Sequence, residues 1–141
     1  MASDPQSFCD ACMAGEVTRV ADMLHSDPLL MRSHGAVRAD HREFMKTQGA
    51  DGGWTPLHLA CHYGQSAIVR LLIDSGADVN TIAANAIGNT PLMAAIAGRN
   101  AEIIKLLIDT GADPKIKDKN GYDAFAAAKA SGDQTIIDMV K

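Results

Sequence analysis

Small and apolar residues recur along the chain at a nearly constant separation. Residues 53–60 and 88–95 share the pattern Gly-x-Thr-Pro-Leu-x-x-Ala and start 88 − 53 = 35 residues apart. A weaker copy begins 121 − 88 = 33 residues later, at Gly121. A period of this length is typical of proteins built from stacked structural repeats. With the Thr of Thr-Pro as position zero, the four copies start at Gln6, Thr55, Thr90 and Asp123.

The apolar positions of each copy follow helical spacing on both sides of a break. Position nine holds Gly15, Gly64 and Gly132, which suit a left-handed turn between two helices. Arg99 takes this position in the third copy, directly after Gly98, so we expect that turn to be shifted. Each copy is therefore predicted to form two short helices, and the fold class to be all-α. Helices of about ten residues are too short to be stable alone in water, so stacking must stabilise them.

Two further features indicate how these helices begin and pack. Thr55 and Thr90 are placed to cap a helix, with Pro56 and Pro91 at its first position, where a missing N–H costs nothing. Position five is alanine in every copy, which predicts a close approach between neighbouring helices, since a larger side chain would push them apart. The four alanines are Ala11, Ala60, Ala95 and Ala128.

The second copy carries the clearest family resemblance. Its segments Thr55-Pro56-Leu57-His58-Leu59-Ala60 and Gly76-Ala77-Asp78-Val79-Asn80, on either side of a predicted helix over 68–74, resemble an ankyrin repeat. The resemblance implies a solenoid of four stacked helix-turn-helix repeats with short hairpin fingers. We expect one domain over 1–141, in which the first repeat is an N-terminal cap. The repeats are predicted at about 6–31, 53–80, 88–113 and 121–141, with an inserted loop at 32–52.

The insertion at 32–52 is the part least similar to the family. Its apolar face is predicted from residues at helical spacing, with three basic side chains on the outside. We consider two interpretations, a surface loop that folds back over its neighbours and an arm that contacts a partner. Two extra residues within 81–87 should also lengthen one finger. The face comprises Val37, His41, Phe44, Met45 and Gln48, and the basic residues are Arg38, Arg42 and Lys46.

The resemblance also implies where a partner protein would bind. In ankyrin-like stacks the fingers and first helices form a concave face whose exposed positions vary with the partner. Large aromatic side chains are frequent binding hot spots, so Trp54, Tyr63 and Tyr122 are our candidate anchors. The alternative is that Trp54 and Tyr122 only cover the bases of the hairpins. The other candidate contacts are His62, Asn89, Ile87, Asp51, Lys119 and Asn120.

Composition and charge narrow the partner class. The chain has 141 residues, of which 47% are hydrophobic, and a formal net charge of -4. This charge argues against nucleic acid or an anionic membrane as the partner, because both require a concentrated basic face. No apolar run approaches the length of a membrane span, and the N-terminus lacks the layout of a signal peptide. We expect a cytoplasmic monomer with reduced thiols.

Two sequence features suggest chemistry, and neither is complete. His58 and His62 lie four residues apart beside Cys61, but no further ligands stand at the spacing of a structural zinc site. Cys9 and Cys12 form a lone C-x-x-C without a second pair or a thioredoxin-like context. We therefore expect no catalytic residues, no metal and no cofactor.

The predicted function is reversible, non-enzymatic binding of an unidentified partner protein through the concave face. The chain would act as an inhibitor, an immunity-type protein or an adaptor. The alternative from another class is a thiol- or metal-responsive sensor that uses Cys9, Cys12, Cys61, His58 and His62.

Overall fold

The computed structural model describes residues 4–141 as a row of four helical pairs with one irregular insertion. Each pair is an antiparallel unit of two short helices, as the periodicity predicts. The pairs are α1 (Pro5–Ala14) with α2 (Val17–Ser26), α4 (Pro56–His62) with α5 (Ser66–Asp74), α6 (Pro91–Ala97) with α7 (Ala101–Asp109), and α8 (Ala124–Ser131) with α9 (Gln134–Val140). A 3-10 turn at Pro28–Arg32 leads into the insertion, which holds a second 3-10 turn at Ala39–His41 and the short helix α3 (Arg42–Lys46).

The helices stack in two parallel rows, and one continuous core runs through all four pairs. The first helices contact one another in the order α1, α4, α6, α8, and the second helices in the order α2, α5, α7, α9. All four alanines of position five are completely buried in this core. The apolar positions of the second helices are buried beside them, with Val20, Val69 and Ile104 fully enclosed. Stacking, rather than any single helix, therefore buries most of the apolar surface.

Side-chain caps begin the first helices where the sequence predicts them. The Thr55 hydroxyl accepts a hydrogen bond from the backbone N–H of His58 at 3.3 Å, and Thr90 does the same for Met93 at 3.3 Å. Asp123 caps α8 in the same way. The first pair differs, because the cap is Asp4, two residues before the position-zero residue Gln6, and α1 begins at Pro5. The first repeat therefore has a longer first helix than the two inner repeats.

The expected shift of the turn in the third repeat is wrong. Arg99 itself takes the left-handed conformation, with φ 55°, at the place where the other repeats have glycine. Gly98 before it has an ordinary negative φ and lies against α4, where a Cβ would overlap the carbonyl oxygen of His62. Close packing between α4 and α6 thus requires glycine at Gly98, and the left-handed residue that follows is an arginine.

The insertion folds back onto the second repeat. Gly35 and Trp54 exchange backbone hydrogen bonds, and the N–H of Val37 donates to the carbonyl of Asp51 at 2.9 Å. The side chains of Val37 and Ala50 are buried. These contacts agree with the interpretation of a loop that folds over its neighbours, and they hold α3 beside the first helices.

Backbone hydrogen bonds connect the finger over 81–87 both to the insertion and to the start of the second repeat. Ala84 donates to Gly53 at 2.7 Å, and Ala86 donates to Gly49 at 3.0 Å. The lengthened finger over 81–87 therefore reaches the insertion as well as its own repeat. None of the helices in the described part of the chain combines the length and the apolar character that a membrane span requires.

The neighbours Gly98 and Arg99 should respond oppositely to substitution. Gly98→Ala should lower the free energy of unfolding by about 1–3 kcal/mol, because the new methyl group displaces α4 from α6. Arg99→Gly should raise it by up to about 1 kcal/mol, because glycine adopts a left-handed conformation without strain. Urea unfolding followed by circular dichroism measures both changes. Equal stability of the Gly98→Ala variant and the natural protein would contradict the packing argument.

Candidate functional site

A cleft of about 230 Å³ opens between the insertion and the first helices of the second and third repeats. One wall is the predicted apolar face of the insertion, since all five of its residues line the cleft. The repeats supply the floor and the opposite wall, which include the finger that precedes α6. Their lining residues are Trp54, Leu59, His62, Tyr63, Ile87, Asn89, Ala94 and Ala97.

Tyr63 holds the insertion in place at one end of the cleft. Its hydroxyl oxygen lies 2.8 Å from Nδ1 of His41 and accepts the backbone N–H of Arg38 at 3.2 Å. The Arg38 guanidinium stands 4.8 Å from the centre of the Tyr63 ring, a cation–π arrangement. Burial raises the pKa of the Tyr63 hydroxyl. The phenol is therefore engaged by the chain's own insertion, although part of its ring still faces the cleft.

Trp54 forms the floor of the cleft, and the expectation that it is exposed is wrong. Only 5% of its surface is accessible, and its indole N–H donates to the carbonyl of Ala50 at 2.6 Å. The indole also meets the His58 ring edge to face, at 5.6 Å between centres. The insertion covers Trp54, because the chain pairs Gly35 with Trp54 and buries Ala50 beside it. This burial favours the alternative that Trp54 covers the base of the hairpin.

His58 links the second repeat to the finger of the third. It is fully buried, with Nε2 at 2.7 Å from the carbonyl oxygen of Asn89 and Nδ1 at 2.7 Å from the Thr55 hydroxyl. A carbonyl only accepts, so Nε2 carries the proton and Nδ1 accepts from Thr55. Burial lowers the pKa of His58 to about 4, so the ring is neutral at pH 7. Met93 occupies the equivalent position in the third repeat, and a thioether cannot donate this hydrogen bond.

Asn89, one of the lining residues, has a buried side-chain acceptor without a donor. Within residues 4–141, the side-chain oxygen Oδ1 of Asn89 is buried and has no hydrogen-bond partner. His62 also lines the cleft. Its ring meets the Tyr63 ring edge to face, with 4.8 Å between the ring centres. Burial lowers the pKa of His62, which favours its neutral form. The lining of the cleft is thus mostly apolar.

The cleft brings together five of the nine predicted contact residues, namely Trp54, Tyr63, His62, Asn89 and Ile87. The remaining four do not line it. Tyr122 is 61% exposed at the base of the next finger, and Lys119 and Asn120 are exposed at its tip. Asp51 is half-buried at the end of the insertion, where its carbonyl accepts the backbone N–H of Val37 from the same segment.

Several cleft residues were absent from the predicted contacts. Leu59 and Ala94 are not among the predicted contacts, because both occupy helix positions that look like core in a single repeat. Phe44 and Met45 were recognised only as one face of the insertion. The helical spacing of that face was the signal for them, but it does not say which repeat the face meets.

The cysteines are poorly suited to a thiol sensor. All three are free thiols and completely buried. Burial raises the pKa of Cys9 to about 12 and raises the pKa values of Cys12 and Cys61 as well, which suppresses the reactive thiolate. Across residues 4–141, no three His, Cys, Asp or Glu side chains converge in a way that could hold a metal ion. These observations argue against the sensor alternative.

Comparison with known proteins identifies the family to which the chain belongs. A family model for ankyrin repeats, described as three copies, matches residues 10–118. The match covers well over half of the 141 residues, so the chain belongs to the ankyrin-repeat family. Ankyrin repeats are generally protein–protein interaction modules and typically have no enzymatic activity.

Curated relatives are similar to short parts of the chain. Oxysterol-binding protein-related protein 1 from Homo sapiens is 53% identical over 30 residues, which are 21% of this chain and 3% of that protein. Scaffold protein ILK from Cavia porcellus and from Mus musculus is 46% identical over 43 residues, which are 30% of this chain and 10% of each relative. The chain thus covers a tenth or less of the length of these relatives.

Replacing Trp54 tests its structural role. Trp54→Ala should lower the free energy of unfolding by about 3–5 kcal/mol, because it empties a packed site and orphans the Ala50 carbonyl. The exposed Tyr122→Ala is the matched control and should change it by no more than about 0.5 kcal/mol. Chemical denaturation measures both. Equal and small effects would return Trp54 to the list of candidate anchors.

Stability should fall between neutral and mildly acidic pH. The pKa of His58 is about 4 in the folded chain and 6.5 by default, so the unfolded chain binds more protons between these values. The contribution of the buried, neutral His58 to the free energy of unfolding is complete above pH 6.5 and declines as the pH falls toward 4. Between pH 7 and pH 5 it amounts to about 2 kcal/mol. Denaturation at both pH values should show this loss, and His58→Gln should reduce it; an unchanged slope in the variant would contradict the assignment.

Proposed function

We propose that this chain binds another protein reversibly through the face formed by its first helices and fingers, and that it performs no chemistry itself. The observation that carries the proposal is the apolar cleft on this face, one of whose lining residues, Phe44, is 67% exposed. Exposed apolar surface next to a preformed cleft is typical of a contact site for another molecule. Membership of a family of interaction modules supports the same reading.

The binding surface extends beyond the cleft to the finger of the fourth repeat. Tyr122, Lys119 and Asn120 are exposed there, and an exposed tyrosine offers a large contact area with a polar end. The Lys119 ammonium group bonds to the carbonyl of Asn85 in the preceding finger. This contact joins two fingers, so the partner would meet a surface that is already ordered.

Inhibition or immunity-type protection is the favoured role, and adaptor function is the alternative. One face of four repeats offers little room for two partners at once. The printed name of one relative describes a scaffold protein, which is the reason to keep the adaptor role in view. The proposal includes a monomeric, cytoplasmic protein, for which sedimentation at micromolar concentration should give the 14.9 kDa mass of one chain.

Partner capture with matched surface variants tests the proposal. The immobilised chain should retain at least one protein from a lysate of the organism that encodes it, in stoichiometric amount by quantitative mass spectrometry. Tyr122→Ala should reduce that capture at least tenfold. Leu29→Ala, which removes a similarly exposed side chain, 69% accessible, from the 3-10 turn Pro28–Arg32, should leave it unchanged. Both variants should keep the melting temperature of the natural chain.

The stoichiometry of binding distinguishes an inhibitor from an adaptor. Titration calorimetry with the captured protein should give a single site for an inhibitor, whereas an adaptor would bind two different proteins at once. Capture that survives Tyr122→Ala and every substitution on this face, but fails with Leu29→Ala, would move the binding surface and overturn the proposal.

A further inference from the structure

We propose that Asn120 is a site of spontaneous deamidation, in which the backbone nitrogen of Gly121 displaces the side-chain amide group as ammonia. The reaction needs only water, and it converts Asn120 to aspartate or isoaspartate. The modification itself does not depend on the proposed function. Its effect on a partner does rest on that function, because Asn120 lies between two of the proposed contacts, Lys119 and Tyr122.

Asn120 differs from the other asparagines in the residue that follows it. Ring closure brings the next backbone nitrogen onto the side-chain carbonyl carbon, and a following side chain hinders that approach. Glycine has no Cβ and allows the widest range of backbone conformations, so Asn-Gly is the most permissive sequence. Among the five asparagines of the chain, Asn120 alone precedes glycine. The residues after the other four are Thr81, Ala86, Thr90 and Ala101.

The structure leaves the Asn120 side chain free to reach this nitrogen. Asn120 and Gly121 are both exposed at the tip of the finger, and a Cβ at Gly121 would meet no atom within 4 Å. In the part of the chain that the structure describes, Asn120 forms a hydrogen bond only through its backbone N–H, which donates to Oδ1 of Asp118 at 2.9 Å. The carboxamide is therefore able to rotate, and water reaches it.

The other asparagines have restrained side chains. Asn80 bonds through both atoms of its carboxamide to the next finger, at 3.2 and 2.8 Å. The Oδ1 atom of Asn85 accepts two backbone N–H groups, and that of Asn100 caps the start of α7 at 3.0 Å. The Oδ1 atom of Asn89 is buried. Rotation toward the next nitrogen would break these contacts or require local unfolding, and neither cost applies to Asn120.

The turn restrains the attacking nitrogen through three hydrogen bonds. The Gly121 N–H donates to the carbonyl of Asp118 at 3.1 Å, and Oδ1 of Asp118 accepts the N–H groups of Asn120 and Tyr122, both at 2.9 Å. The first of these bonds must break before the nitrogen attacks. Because all three lie at an exposed loop tip, opening costs little free energy. We expect the turn to slow the reaction without preventing it.

The reaction balances with water as the one co-reactant and involves no change in oxidation state. The Gly121 nitrogen loses its proton to solvent and forms a bond to Cγ of Asn120, while the side-chain nitrogen takes up a proton and leaves as ammonia. Water then opens the resulting five-membered succinimide at Cγ, which gives aspartate, or at the backbone carbonyl carbon, which gives isoaspartate. Either product adds a negative charge, and isoaspartate lengthens the backbone by one methylene group.

Mass spectrometry of the folded chain tests the proposal. The chain is incubated at neutral pH beside the blocked peptide Asp-Lys-Asn-Gly-Tyr, and it is then cleaved before each aspartate. Residues 118–122 are released with a single asparagine and no glutamine. Isoaspartate at 120 makes this fragment about 1 Da heavier, whereas aspartate adds a cut before 120. Asn120 should convert at a rate within about tenfold of the peptide, because the finger tip opens readily, while the other four asparagines stay unmodified.

Two substitutions and a matched control locate the cause. Asn120→Gln should abolish conversion over the same period, because the longer side chain would have to close a six-membered ring. Asp118→Ala should accelerate conversion about threefold or more, because it removes the side-chain acceptor that holds the tip. The control Asp113→Ala removes the same kind of contact from the N–H of Lys115 and should leave the rate unchanged.

Slower conversion than about a tenth of the peptide rate would overturn the proposal. Equal modification of Asn80 or Asn85 would overturn it as well, since their side chains are restrained. An unchanged rate in the Asp118→Ala variant would contradict the control of the reaction by the turn.

Capture of the partner by fresh and aged chains separates this inference from the proposed function. Ageing should reduce capture about threefold or more, because a negative charge arises between Lys119 and Tyr122, and the aged Asn120→Gln variant should keep full capture. Capture that requires Tyr122 but is equal for fresh and aged chains would overturn the effect on binding. Conversion of Asn120 in a chain that captures no protein would contradict the proposed function alone.

Discussion

Close stacking of each first helix on the next is the constraint on which the rest of the structure depends. Helices of seven to ten residues lie below the length at which an isolated helix is stable, so their backbone hydrogen bonds persist only because a neighbour covers their apolar side. The fully buried alanine column and Gly98 set the distance between these neighbours. A wider spacing would break the contact of His58 with the next finger and separate the walls of the cleft.

Hydrogen bonds between repeats fix how the helical pairs align in this apolar stack. His58 links the second repeat to the third through a hydrogen bond to the carbonyl of Asn89. Its ring is neutral at pH 7 because burial lowers its pKa. The same carbonyl accepts the N–H of Ala83 within the finger. Within residues 4–141, the buried Oδ1 atom of Asn89 has no hydrogen-bond partner. The two hydrogen bonds to the Asn89 carbonyl thus fix the finger of the third repeat against the second repeat.

The insertion covers Trp54 and adds a second wall to the surface formed by the first helices. Without residues 32–52, Trp54 would lie at the open base of a hairpin, and the first-helix face would have no second wall. Pairing of Gly35 with Trp54 and the contacts of Tyr63 with Arg38 and His41 fasten the insertion where it covers the indole. The covered tryptophan packs within the structure, while Phe44 and Tyr122 stay exposed and are the contacts that we propose for a partner.

The amino-acid pattern predicts the repeat period, the two helices of each copy, their caps at Thr55 and Thr90, and the helical face of the insertion. The period is visible because similar segments recur along the chain, and the other features are local, because each depends on residues within about one turn or one helix. Only the packing of distant segments shows that Trp54 is buried, that the Tyr63 hydroxyl is hydrogen-bonded and that, within residues 4–141, the buried Asn89 Oδ1 lacks a donor. Each of these depends on how the insertion settles against repeats distant in sequence, and periodicity does not encode that register.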